Sequence, residues 1–167
     1  MKKMKRLVAV LLAGIMALAV LTACDGTPVT RDEALGKNVA QWTVELGKDA
    51  NLELTVDDEL MAMSAKYLPT EVKRRDAIMA EDWEAFGAAQ NELDDVFAVG
   101  TKVARVDMVL ELNGAELTKE VLAQVVQVKM NDIQNALMKA GIEKPTKFGV
   151  TVTEQKDYTL IFFVVSE

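Results

Sequence analysis

Across residues 102–165 the spacing of the apolar residues changes twice, and this narrows the folds open to the chain. From Lys102 to Leu112 the period is two: Ala104, Val106, Met108, Leu110 and Leu112 share one side, with Arg105, Asp107 and Glu111 on the other. A strand sends successive side chains to opposite faces, so this segment reads as a half-buried strand. Asn113-Gly114 then supplies a turn. From Thr118 to Ala140 the period is helical. Leu122, Val126, Met130, Ile133, Leu137 and Ala140 form one stripe, Thr118 caps its start and Gly141 stands at the C′ position. After Pro145 the alternation returns in Phe148, Val150 and Val152, residues 154–157 turn, and Tyr158 to Val165 forms the last strand. A long helix with one apolar stripe must bury it against something. The expected fold is α+β: N-terminal helices, then a β-α-β-β unit, giving a small antiparallel sheet with the long helix packed on one face.

The last two strands leave a choice of register. Pairing Phe148, Val150 and Val152 with Phe162, Leu160 and Tyr158 puts all six on one face and requires a three-residue loop centred on Gln155 or a bulge. A one-residue slip would turn Tyr158, Leu160 and Phe162 to the polar face. Burial favours the first register. Ile161, Phe163 and Val165 then make the other face apolar too, so the sheet needs cover on both sides.

The first half reads mainly as helix. Thr30-Arg31-Asp32-Glu33 fits a capping box, Leu35, Val39, Trp42 and Leu46 recur at helical spacing, and Gly47 follows as a stop. A rival stands beside it: Ala40, Trp42, Val44 and Leu46 also alternate, with Leu52, Leu54 and Val56 as a hairpin partner, so residues 31–46 remain helix or strand. A second helix opens at Thr55 or Asp57 and ends at Pro69, and residues 70–79 form a short polar helix. In the helix over 81–97, Trp83, Phe86, Gln90, Leu93 and Phe97 follow a 3-4-3-4 spacing expected to face the core.

The chain of 167 residues has no histidine and one cysteine. Histidine-based metal sites, Ser-His and Cys-His nucleophile pairs and an intramolecular disulfide framework are therefore excluded. The net charge of −7 argues against a binder of nucleic-acid backbones. No glycine-rich phosphate loop is present, and Ser64 and Ser166 have no recognisable basic partner.

The N-terminus carries an address. Lys2, Lys3, Lys5 and Arg6 precede the unbroken apolar run Leu7–Leu21. That run is too short to span a bilayer, which takes about 20 residues, and has the layout of a secretory signal. Leu21-Thr22-Ala23-Cys24 follows and resembles a lipobox, so the first 24 residues resemble a bacterial lipoprotein precursor. The resemblance implies a signal peptide over 1–23, cleavage before Cys24 and a diacylglycerol on its thiol. It covers no part of the folded region. Asp25 resembles the inner-membrane retention signal of some Gram-negative lipoproteins, which applies only to a source of that kind. Beyond the leader lie all 26 acidic residues but only 15 of the 19 basic ones, a net charge of −11. Such a domain is repelled by anionic headgroups, so lipid on Cys24 is the expected link to the membrane. A short tether over 24–30 would hold the single α+β domain over 31–167 close to an extracytoplasmic membrane face.

The remaining candidates are modest. The acidic clusters at Asp57-Asp58-Glu59, Glu81-Asp82 with Glu84, and Glu92 with Asp94-Asp95 read as helix-start and solvated-face residues, without the loop pattern of an EF-hand. Gln124, Gln127, Asn131 and Asn135, with Gln134, form an amide stripe on the outer side of the long helix, an expected face for meeting an envelope partner. No catalytic residue, metal ligand or cofactor is assigned. The expected function is a non-enzymatic interaction module of the cell envelope that contacts a protein or ligand and no nucleic acid. The alternatives are a small-ligand binder using a cavity between helix and sheet, and a hydrolase using carboxylates alone.

Overall fold

The computed structural model describes residues 29–167. The leader, the lipobox, Cys24 and the tether up to Pro28 lie outside the described residues. The fold is α+β. In chain order the elements are α1 (Glu33–Asp49), β1 (Thr55–Val56), α2 (Asp58–Met79), α3 (Trp83–Val96), β2 (Val103–Leu110), α4 (Lys119–Val128), α5 (Met130–Ala140), β3 (Lys147–Glu154) and β4 (Thr159–Ser166). The sheet order is β1-β3-β4-β2. β4 lies between β3 and β2 and runs antiparallel to both, while the two-residue β1 joins β3 in parallel. The β-α-β-β unit is thus split, with the last strand inserted between the other two.

Residues 31–46 resolve as helix. Its N-cap is Asp32, whose carboxylate accepts the Leu35 amide at 2.8 Å, rather than the Thr30 of a capping box. Thr30 is held elsewhere: its carbonyl accepts from the Thr153 hydroxyl at 2.7 Å. The helix also runs past Gly47 and ends where Asn51 turns left-handed (φ 59°), with the Leu52 amide bonded back to the Gly47 carbonyl. Gly47 serves packing instead, since a Cβ there would meet the Leu54 side chain at 3.0 Å.

Pro69 does not end a helix. α2, 22 residues long in all, runs through it, because Leu68 and Val72 are buried with Leu160, Phe162 and Val164 of β4. That packing outweighs the cost of about 3 kcal/mol for an interior proline. The short polar helix expected over 70–79 is the second half of α2. α2 lies so close to β3 that a Cβ on Gly149 would overlap the Leu60 carbonyl. One turn further on, the Ser64 hydroxyl reaches both the Thr151 hydroxyl at 2.6 Å and the Phe162 carbonyl at 2.7 Å.

The hairpin register differs from the expected one. Phe148 faces Val165, Val150 faces Phe163 and Val152 faces Ile161, and residues 155–158 form a four-residue loop closed by the Gln155 amide on the Tyr158 carbonyl. Phe148, Val150 and Val152 therefore do not share a face with Tyr158, Leu160 and Phe162. Both faces of β4 are buried, so apolarity could not choose between them. The choice is made by Gly149, Thr151 and Thr153, whose small or hydroxylated side chains take the approach of α2 and the incoming N-terminal chain. As expected, the sheet is covered on both sides: α2 on one, with Phe97 beyond the end of α3 joining it, and α1, α4 and α5 on the other; α3 packs on α2.

The long helix over 118–140 is two helices. At Lys129 ψ is 4°, well off the helical value of about −42°. The break follows the run Val125-Val126-Gln127-Val128, whose β-branched members are weak helix formers. The turn at Asn113-Gly114 and the left-handed C′ glycine Gly141 are both present.

Candidate functional site

On either side of the break at Lys129 the two helices have different neighbours, and a groove lies between α1 and α5. α1 and α4 meet, and Lys119 of α4 binds Glu45 of α1 at 2.7 Å. The hydrogen bond from Lys119 holds the Glu45 carboxyl below the usual carboxylate range. α5 instead follows β2, seating Leu137 and Ala140 over Ala104. Between α1 and α5 the sheet forms the floor of an open apolar cavity of about 330 Å³.

Phe148 of β3, Phe163 and Val165 of β4, and Val106 and Met108 of β2 form that floor. One wall is Leu46 and Gly47 of α1 with Leu52 and Leu54 of the following turn. The other is Val126, Met130, Ile133 and Leu137. The stripe read as the buried face of one long helix is thus only partly covered: Val126, Ile133 and Leu137 are half-buried and Met130 is 42% exposed. Two polar side chains reach the groove, Thr43 and Gln134. The Thr43 hydroxyl is already donated to the Val39 carbonyl at 2.7 Å, and Gln134 is an exposed rim residue. The interior therefore offers shape and apolar surface, with no group to fix a polar ligand or activate water.

On the opposite sheet face lies Glu71, fully buried in α2. It accepts hydrogen bonds from Arg74 (Nε at 2.9 Å) and from Arg105 of β2 at 2.8 Å. Asp107 and Asp94 approach the same two guanidinium groups at 3.3 and 3.4 Å. Burial pushes the Glu71 carboxyl up, opposed by the hydrogen bond from Arg74. Every charge here has an opposite charge in reach, so the cluster works as a clamp between α2 and β2. As a short polar helix, residues 70–79 gave no hint of this clamp; the signal was Glu71 one helical turn from the apolar Leu68 and next to Val72.

The other expected residues fall as follows. Gln124, Gln127, Asn131, Gln134 and Asn135 are all exposed on α4 and α5, and of these Gln134 borders the groove. Asp57 and Asp82 cap α2 and α3. Glu92 accepts from Thr70 at 2.9 Å. Gln90 is half-buried and bonded to Asp94 at 2.8 Å. Among the described residues no group of three or more acidic or cysteine side chains is arranged to hold a metal ion. The aromatic stripe of α3 is only partly core. Leu93 is fully buried and Phe97 packs edge-on to Phe162 and Tyr67, but Trp83, the first residue of α3, is 66% exposed. Comparison with protein-family models, with curated proteins and with solved structures yields no match. Among the described residues no helix is long and apolar enough to cross a membrane.

Proposed function

We propose that the protein is a lipid-anchored binding module of the extracytoplasmic membrane face, and that its groove receives a single aliphatic chain. The observation that carries this reading is the groove between α1 and α5, apolar on its floor and both walls. Its size argues for a thin occupant. The volume of about 330 Å³ sits at the small end of ligand pockets, which run about 300–1,000 Å³. With no polar anchor inside, recognition rests on burial alone. The lipobox resemblance supplies the setting, since a domain tethered through Cys24 meets acyl chains at high local concentration. The amide face of α4 and α5 adds an uncharged outer surface, which a partner covers at a lower desolvation cost than lysines or glutamates.

Burying one methylene is worth about 0.8 kcal/mol, close to a fourfold gain in affinity. Titration with n-alkyl glycosides of increasing chain length, kept below their micelle thresholds, is expected to show that step per carbon until the groove is full, and then a plateau. Thr43→Phe, which fills the groove from α1 without removing a needed hydrogen bond, is expected to abolish binding and leave the fold intact. Affinity that ignores chain length, or that survives Thr43→Phe, would rule the reading out.

A further inference from the structure

The chain leaves the described structure at Val29, which packs into the apolar cluster that also holds Tyr158 on the α2 side of the sheet. The segment after Val29 meets β3 at its hairpin end, through Thr30 on Thr153 and the Asp32 amide on the Val152 carbonyl at 2.9 Å. At this end Tyr158 donates its hydroxyl to Asp76 of α2 at 2.8 Å. One turn beyond Asp76 the α2–α3 turn carries Met79, 52% exposed, and Trp83, 66% exposed, its ring edge-on to Phe86 at 6.2 Å. The N-terminal exit and this apolar tip thus share one end of the molecule.

We infer that the α2–α3 tip is a membrane-contact site, with Trp83 and Met79 seated at the headgroup level of the bilayer that holds the lipid on Cys24. The inference rests on the lipid-anchored reading above. Four residues separate Cys24 from Val29, so a fully extended tether spans about 17 Å. A domain of this length has a radius of gyration near 14 Å. The end where Val29 emerges is therefore kept beside the membrane, and the far end is held away from it. Tryptophan suits this position, because its ring is apolar and its indole N–H still reaches water or headgroups. The tip also exposes Glu81, Asp82 and Glu84. These disfavour an anionic surface, so the fitting partner is a zwitterionic headgroup layer.

The chain has two tryptophans, so Trp42→Phe leaves Trp83 as the sole reporter. The lipidated Trp42→Phe protein is reconstituted into phosphatidylcholine vesicles with and without bromine on the acyl chains, and flotation is measured in parallel. The expected result is co-flotation, a blue-shifted Trp83 emission and at least twofold quenching by the brominated lipid. Where Trp42→Phe does not fold, the difference between the wild-type and Trp83→Phe emission reports the same quantity. Co-flotation with unquenched, red-shifted emission overturns the membrane-contact site and leaves anchoring standing. Absence of flotation overturns the anchoring and the contact site with it.

Discussion

Replacing Glu71 tests whether the clamp between α2 and β2 holds the helix to the sheet. In Glu71→Ala the side chain that accepts from Arg74 and Arg105 is gone, and two guanidinium groups, 15% and 16% exposed, lose their central partner. Breaking a buried pair from one side costs about 3–5 kcal/mol. Here the figure is reduced, because Asp107 at 3.3 Å and Asp94 at 3.4 Å remain to take up the arginines, and about 2–4 kcal/mol is expected. For a domain of this size each kcal/mol moves the melting temperature by about 4 °C, so a fall of about 8–16 °C should accompany it. Urea denaturation followed by circular dichroism measures the free-energy change directly, with an unchanged slope showing that the unfolded state is unaffected. A Glu71/Arg105 double-mutant cycle then isolates the coupling across the layers. A destabilisation below about 0.5 kcal/mol, the level of a plain surface change, would refute the clamp.

Three further outcomes follow from the same packing. Gly149→Ala forces a methyl against the Leu60 carbonyl of α2; backbone cannot swing aside as a side chain can, so a loss at or above about 3 kcal/mol is expected in urea, and a loss under 1 would show that α2 can lift freely. The Tyr158 phenol is pushed up by burial and by its hydrogen bond to Asp76. The unfolded chain therefore releases that proton first: the contribution of Tyr158 is complete below about pH 10 and declines as pH rises above it, a decline that Tyr158→Phe should flatten in alkaline melting curves. Asp57→Ala removes the acceptor for the Glu59 and Leu60 amides, at 3.0 and 3.1 Å, and should cost about 1 kcal/mol by chemical denaturation.

How far the sequence foretold this structure depends on how local the deciding force was. The strand over 103–110, the Asn113-Gly114 turn and the Gly141 stop were legible because each rests on alternation or on a left-handed position within a few residues. The β3–β4 register was not, because β4 is apolar on both faces and the decision lay with the distant contacts of Gly149 and Thr151 on α2. Pro69 misled for the same reason: its local penalty is real, but Leu68 and Val72 on either side of it are anchored by β4. Gln124, Gln127, Asn131 and Asn135 are exposed, as a polar stripe on a helix implies, while Gln134 borders the groove. A cavity between helix and sheet stood only as an alternative, since Val126, Met130, Ile133 and Leu137 had the spacing of a core stripe, yet they are half-buried or exposed.

Methyl NMR tests the apolar groove between α1 and α5 most directly. With isoleucine, leucine and valine methyls labelled, dodecyl maltoside is added below its micelle threshold. The expected result is shifts, and contacts to the alkyl chain, confined to Val106, Val126, Ile133, Leu137 and Val165, with Leu160, Val164 and Val72 on the other sheet face unmoved. Shifts spread equally over both faces, or none at the groove methyls, would contradict it.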